Sequence, residues 1–199
     1  MQFVPTLPAE EVARANFYGL LARLFYAPPD ATLLATLAAA QDLEAEAEDG
    51  GISGAWRALA EASGKADPES VREEYDAAFI GVGKAPVTLY TSAYSIRFTN
   101  EVPLVALRAE LERLGIARRA GSSEPEDHIA TLCEVMRFLI AEQKSDLEHQ
   151  KEFFERWIWP TVQPLCSAIQ KSEEIVFYKT VSDFLLRLCT LEHTAFEML

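Results

Sequence analysis

Apolar residues recur at steps of three and four along most of the chain, which is the spacing of one face of an α-helix. The first such pattern runs from Ala9 to Tyr26, and Pro28-Pro29 should end it because proline disfavours a helical conformation in the residue before it. Asp30 can then cap a second helix through Leu37. Strand-like alternation is nearly absent from the sequence, so the pattern predicts an all-α fold.

The same periodicity predicts the later helices. They are expected around Trp56 and Leu59, from Asp67-Pro68 to Phe79, from Val105 to Gly115, from the Ser123–Glu126 capping box to about Lys144, from about Leu147 onward, and from about Glu173 to Glu197. Pro160 and Pro164 should kink or break the helix that begins near Leu147. The acidic and glycine-rich stretch from Glu44 to Gly54 indicates a loop.

A chain of 199 residues is long enough for one domain. The polar loop at residues 116–124 is the best candidate for a hinge. We therefore expect a single helical domain over residues 1–199, with a possible subdivision into 1–115 and 125–199. The first of these parts would be the larger.

The charge balance is strongly acidic, with 31 acidic against 18 basic residues and a formal net charge of −13. Such a field repels nucleic acids and anionic membranes and attracts cations and basic peptides. Solubility alone would also account for it, so charge by itself leaves the partner open. The three cysteines form no CxxC motif and stand in apolar surroundings, which indicates buried thiols in a reducing compartment.

No secretory signal and no run of about 18 apolar residues is present in the sequence. We therefore expect a cytoplasmic protein without stable membrane insertion.

The segment from Gly81 to Asn100 breaks the helical pattern and is unusually aromatic for a loop. Leu89, Tyr90 and Tyr94 either pack on the core or line a peptide groove. The glycine-rich start of this segment, through Lys84, lacks the GxxxxGK[ST] spacing of a phosphate loop, so a turn is the better interpretation.

A second candidate site is the sequence EPEDH, in which Glu124, Asp127 and His128 would share one face at the start of a helix. They could grip a guanidinium, bind a metal or move protons, or the carboxylates could merely complement the helix dipole. A di-iron bundle needs a Glu-x-x-His pair on each of two helices, and the sequence provides none. We therefore predict no metal site. Catalysis also has little support, since no GxSxG motif occurs.

Four segments together resemble the TorD/DmsD-type redox-enzyme maturation chaperones. They are Arg14-x-x-x-Tyr18 followed by LLARLFYAPPD, Tyr75-x-x-x-Phe79-x-Gly81, the LYTSAY stretch from Leu89 to Tyr94, and EPEDH from Glu124 to His128. They occur in the order typical of the family and span most of the chain.

The resemblance implies an all-helical, cytoplasmic chaperone and not an enzyme. Such proteins bind the twin-arginine signal peptide of a molybdopterin-dependent oxidoreductase subunit and assist its cofactor insertion before export, and some also bind the apoenzyme. The peptide site carried over by resemblance comprises Leu89, Tyr90, Tyr94, Glu124, Pro125, Asp127 and His128, with Arg14 and Tyr18 lining or bracing it.

The resemblance also implies a monomer or a homodimer, including a domain-swapped one, and no resident cofactor apart from weak guanine-nucleotide binding. Where family members often carry His-Leu-x-Pro-Trp, this chain has Arg156-Trp-Ile-Trp-Pro-Thr161, so the subfamily stays open. The client enzyme also stays open. The alternative function is a helical metal-binding or redox enzyme that uses Glu124, Asp127 and His128.

Overall fold

The computed structural model describes residues 7–40, 51–81, 85–95, 103–116, 125–143 and 145–199. The regular secondary structure of this part of the chain is helical, without a β-strand, so the predicted all-α fold is confirmed. The α-helices are α1 Ala9–Tyr26, α2 Ala31–Ala39, α3 Gly51–Lys65, α4 Pro68–Tyr75, α5 Ser92–Ser95, α6 Pro103–Arg113, α7 Ile129–Ala141, α8 Leu147–Phe153, α9 Trp159–Lys171 and α10 Phe177–Glu197. Two π-helical turns, Asp76–Ile80 and Phe154–Ile158, extend α4 and α8.

Several helices begin at a carboxylate that caps the helix. The Asp30 side chain accepts a hydrogen bond from the Leu33 N–H at 2.7 Å, and the Asp67 side chain accepts one from the Ser70 N–H at 2.9 Å. Each bond satisfies an amide that has no partner within its own helix. The start signals read from the sequence at these two positions are therefore confirmed.

The end of α6 uses Gly115 in the left-handed conformation, with φ of 72°. The Ile116 N–H donates to the Leu111 carbonyl at 2.8 Å, and the Gly115 N–H donates to the Glu112 carbonyl at 2.9 Å. This pattern is a Schellman motif, which satisfies carbonyls that the helix itself leaves open. The predicted stop at Gly115 is thus confirmed.

Three predicted boundaries are wrong. Residues 51–54 are helical, at the start of α3, where Ile52 packs on the core together with Trp56; residues 44–50 of the predicted loop lie outside the described residues. The helix after the second polar loop begins at Ile129, three residues after Glu126, the last residue of the predicted capping box, of which Ser123 and Glu124 lie outside the described residues. The last helix begins at Phe177 and not near Glu173.

The prolines at 160 and 164 do not interrupt the helical path from Leu147 to Lys171. Pro160 lies in the first turn of α9, where its missing N–H costs little. The π-helical turn immediately before it changes the local hydrogen-bond register, which is a common way of accommodating an irregularity in a helix. Pro164 lies inside α9.

One continuous hydrophobic core holds the helices together. Helix α1 packs along α7, and α10 packs on α3 and α9. Residues from both sides of the expected hinge contribute to this core, including Phe25 and Leu132. Residues 117–124 of the hinge lie outside the described residues, so the subdivision stays a prediction.

Helix α10 is tied to the amino-terminal part of the chain at its first turn. The carboxylate of Glu74 accepts hydrogen bonds from the backbone N–H groups of Val176, Phe177 and Tyr178, at 2.8 to 3.0 Å. The Tyr178 hydroxyl donates to the Leu24 carbonyl at 2.9 Å. A distant carboxylate thus replaces the local cap that α10 lacks.

In the described parts of the chain, none of the helices combines the length and the apolar character needed to cross a bilayer.

Candidate functional site

The aromatic loop and the EPEDH segment meet in the structure. Tyr90 and His128 form an isolated antiparallel β-bridge, and the Ile129 N–H donates to the Leu89 carbonyl at 2.9 Å. The two segments, which the family resemblance assigned to one peptide site, are therefore adjacent in the fold. We call residues 88–94 together with 125–128 the bridge site.

His128 caps α7 from outside the helix. Its Nδ1 accepts a hydrogen bond from the Ala130 N–H at 3.2 Å, so the proton of the neutral ring lies on Nε2. The ring packs edge-on against Tyr90, with centroids 5.4 Å apart and an interplanar angle of 81°. Because His128 and Asp127 both precede the helix, the prediction that they share a helix face with Glu124 is wrong for these two residues, and Glu124 lies outside the described residues.

Asp127 is nearly buried, with 5% of its surface exposed. Its backbone carbonyl accepts hydrogen bonds from the Thr91 N–H at 2.9 Å and the Thr91 hydroxyl at 3.0 Å. Its carboxylate accepts a single long hydrogen bond, 3.3 Å from the Ser92 N–H to Oδ2, and has no other hydrogen-bond donor among the described residues. A carboxylate can accept about four such bonds, so most of its capacity is open to a ligand.

The aromatic loop divides between core and surface. Leu89 is buried in the core with 4% exposure, whereas Tyr90 and Tyr94 are half-buried. The Tyr94 hydroxyl donates to the Thr88 carbonyl at 2.8 Å, and burial raises the pKa of this hydroxyl.

The backbone carbonyl of half-buried Pro125 accepts a hydrogen bond from the His128 N–H at 3.3 Å and so helps to shape the turn before α7.

An ion pair that sequence reasoning missed lies beside the bridge site. Arg108 of α6 donates through Nε and Nη2 to Glu126 Oε2, at 3.1 and 3.0 Å. These hydrogen bonds and the charge of Glu126 raise the pKa of Arg108, and Asp127 adds to the effect. The two residues are 18 positions apart on either side of a polar loop, so no local sequence pattern indicates the contact.

Arg14 and Tyr18 have a different set of partners. The guanidinium of Arg14 donates two hydrogen bonds of 2.7 Å to the carboxylate of Glu192 in α10. The Tyr18 hydroxyl donates to the same carboxylate at 3.2 Å. Burial disfavours the charged guanidinium, but the hydrogen bonds and charges of Glu192 and Glu11 outweigh it and raise the pKa of Arg14. Burial, followed by the charge of Glu192, raises the pKa of Tyr18 far above its ordinary value.

The structure therefore places six of the nine predicted residues in the bridge site and two in the Arg14–Tyr18–Glu192 cluster, while the ninth, Glu124, lies outside the described residues. Sequence reasoning missed Glu192, because only the packing of α10 against α1 brings it to Arg14. Among the described residues no group of three or more histidine, cysteine, aspartate or glutamate side chains is arranged to hold a metal ion.

Comparison with known proteins identifies the family. The sequence profile described as nitrate reductase delta subunit matches residues 32–167, more than half of the chain. The chain belongs to this family. The resemblance to TorD/DmsD-type maturation chaperones is thereby confirmed, because the nitrate reductase delta subunit family comprises chaperones of this type. No curated protein sequence matches the chain significantly.

A solved structure has the same fold. It is the crystal structure of a protein from Archaeoglobus fulgidus assigned to redox enzyme maturation, with a TM-score of 0.56 and 16% sequence identity. The alignment covers 94% of this chain and 98% of that one. At this identity the likeness concerns the fold, which is shared over nearly the whole length.

Members of the nitrate reductase delta subunit family are molybdoenzyme maturation chaperones and not catalysts, and they act on molybdoenzyme subunits. The matched range contains every residue of the bridge site. It excludes Arg14, Tyr18 and Glu192, so the family match carries no information about that cluster.

Proposed function

We propose that this chain is a cytoplasmic chaperone that binds the twin-arginine signal peptide of a molybdopterin-dependent oxidoreductase subunit. In this role it holds the apoenzyme during cofactor insertion and assembly, before export. Family membership supports the chaperone role, and the bridge site supports the choice of ligand.

The carboxylate of Asp127 is the observation that carries the proposal. This carboxylate is 5% exposed and accepts one long hydrogen bond from the described residues, so most of its acceptor positions are not used within the chain. A guanidinium offers paired N–H donors in the geometry that a carboxylate accepts, and the resulting bonds are charge-assisted. The guanidinium of a ligand arginine would therefore supply hydrogen-bond donors to the Asp127 carboxylate that the described residues do not provide.

The surroundings of Asp127 suit the rest of such a peptide. The half-buried ring of Tyr90 lies against His128, the residue that follows Asp127, and offers an aromatic surface there. Aromatic side chains commonly provide most of the affinity in peptide recognition. The net charge of −13 favours approach of a basic peptide at low ionic strength.

The decisive experiment replaces Asp127 with asparagine and measures affinity for a synthetic leader with paired arginines by calorimetry. The amide oxygen of asparagine can still accept from the Ser92 N–H, so the fold should stay intact. Hydrogen bonds to charged groups are worth about 1.5–3 kcal/mol, so affinity should fall roughly ten- to a hundredfold. Thermal stability should stay nearly unchanged.

Glu173→Gln is the matched control, because it removes the same charge from an exposed residue outside the bridge site. It should leave affinity within about twofold, since an exposed charge acts only through the long-range field. An unaltered affinity in Asp127→Asn would refute the assigned ligand. A peptide with paired lysines should bind the natural chain more weakly than the arginine peptide, because lysine cannot form the bidentate contact.

We propose no resident cofactor for this role. The oligomeric state and weak guanine-nucleotide binding stay predictions from the family resemblance.

A further inference from the structure

A second recessed surface lies away from the bridge site, between α1, α8 and α10. It encloses about 460 Å³, which is within the usual size range of ligand pockets, roughly 300–1,000 Å³. The large apolar side chains that line it are Phe17, Ile52, Leu147, Leu188, Leu191, Phe196 and Leu199. We call this surface the α1–α10 groove.

Several large apolar side chains that are exposed to solvent line the groove. Leu147, Leu191 and Leu199 are 41%, 52% and 67% exposed, and all three line it. Exposed apolar residues are common singly, but several around one concave surface are typical of an interaction site. Beneath them Phe17 packs on Trp56, with ring centroids 5.5 Å apart.

The charged groups of the groove favour a partner that carries a positive charge. Glu10, Glu11 and Glu192 line it together with a single cation, Arg14. Arg14 is already engaged by Glu192 and Glu11, at 2.7 Å in each case. Glu10 is exposed and forms no ion pair within the described part of the chain. A basic group entering at this rim would therefore meet a carboxylate that no cation of the described residues pairs with.

We propose that the α1–α10 groove docks an apolar segment of a partner polypeptide that ends in a lysine or arginine near Glu10. The apolar residues of the segment would cover Leu147 and Leu191. This inference goes beyond the proposed function, because it concerns a surface that contains no residue of the bridge site.

A second copy of this chain is a poor occupant on electrostatic grounds. Two copies, each with a net charge of −13 and a carboxylate at the groove rim, repel one another at close range. A basic partner reverses the sign of this interaction.

The experiment measures fluorescence anisotropy of a labelled dodecapeptide of leucine and alanine that ends in one arginine. This probe contains no arginine pair, so Asp127→Asn should leave its binding unchanged. A failure of the groove proposal is therefore distinguishable from a failure of the function proposed for the bridge site. Leu191→Glu should lower affinity about tenfold or more, because it removes one buried leucine contact and adds a charge to an apolar wall. Leu147→Glu serves the same purpose if Leu191→Glu is unstable.

Val176→Glu is the matched control, since Val176 is 75% exposed and lies at the other end of α10. It should leave affinity within about twofold, as expected of an exposed residue outside the contact. A probe ending in glutamate should bind the natural chain more weakly than the arginine probe, and Glu10→Gln should remove that difference.

Three outcomes would overturn the proposal. Equal losses in Val176→Glu and Leu191→Glu would mean that the probe adheres non-specifically. Binding that appears only after deletion of residues 1–6 would make the amino-terminal segment of the chain itself the occupant. A dimer in sedimentation that Leu191→Glu converts to a monomer would make a second copy the occupant.

Discussion

The cluster around Glu192 offers a sharp test of how α1 and α10 hold together. Glu192 is 4% exposed, and its carboxylate receives three hydrogen bonds from Arg14 and Tyr18, across more than 170 residues of sequence. Glu192→Gln keeps the shape of the side chain and removes its charge. The guanidinium of Arg14 then loses its principal counter-charge while it stays largely covered.

The magnitude follows from the remaining contacts. Removing one partner of a buried ion pair costs about 3–5 kcal/mol. Arg14 keeps its bond to Glu11, its side chain is 18% exposed, and the glutamine oxygen can still accept one bond. We therefore expect a loss of about 2–3 kcal/mol in the free energy of unfolding. In a chain of this length that corresponds to a fall in Tm of about 5–10 °C.

The assay is urea unfolding followed by circular dichroism, for the single variant and for the triple variant Arg14→Met, Tyr18→Phe, Glu192→Leu. The triple variant also removes the Tyr18 hydroxyl, which is buried and donates to Glu192. Replacing all three polar groups with apolar ones should cost much less, about 0–1 kcal/mol, because neither a charge nor a hydroxyl is left buried alone. Asp183→Asn on the same helix is the control, since its pair with Arg187 is exposed and should be worth less than about 1 kcal/mol. A loss below about 1 kcal/mol in Glu192→Gln, or a triple variant as unstable as the single one, would refute the reasoning.

Two further predictions concern the start of α7 and the buried thiols. His128→Ala should destabilise the protein to urea by about 0.5–2 kcal/mol through loss of the cap on the Ala130 N–H, whereas His128→Asn keeps an acceptor there and should be nearly neutral; equal losses would mean that capping is not the cause. Cys133, Cys166 and Cys189 are buried, so Ellman's reagent should label none of them in the native protein at about pH 8 and all of them in guanidinium chloride. Burial raises the pKa of Cys133 and of Cys166 from 9.0 to about 12. Since the unfolded thiols lose their protons first, urea stability should fall as pH rises from 9.0 towards 12, and a flat profile would contradict this assignment.

Much of the helical framework could be predicted because its signals are local. The first helix was expected from Ala9 to Tyr26 and has those bounds. Asp30 and Asp67 cap the helices that follow them, and Gly115 closes α6. Each of these signals acts within one or two helical turns, so the neighbouring residues are sufficient to read it.

The wrong boundaries show where local signals mislead. The sequence before Ile129 contains a serine, a glutamate and a proline at the spacing of a capping box, yet the helix begins later. The reason is a competing contact, because His128, just before Ile129, forms a bridge with Tyr90 and is extended there. A pairing partner about 38 residues away is invisible to a pattern that spans four residues.

The sequence by itself thus determined the helical class, most helix ends, the acidic character and the two short segments that make up the bridge site. Only the tertiary structure decided that these two segments pair with each other, and that Leu89 is buried while Tyr90 is half-exposed. It also decided that Arg14 meets Glu192 and that Glu74 caps α10. Helix periodicity and capping depend on neighbours along the chain, whereas these contacts depend on how the helices pack around one core, which no local pattern specifies.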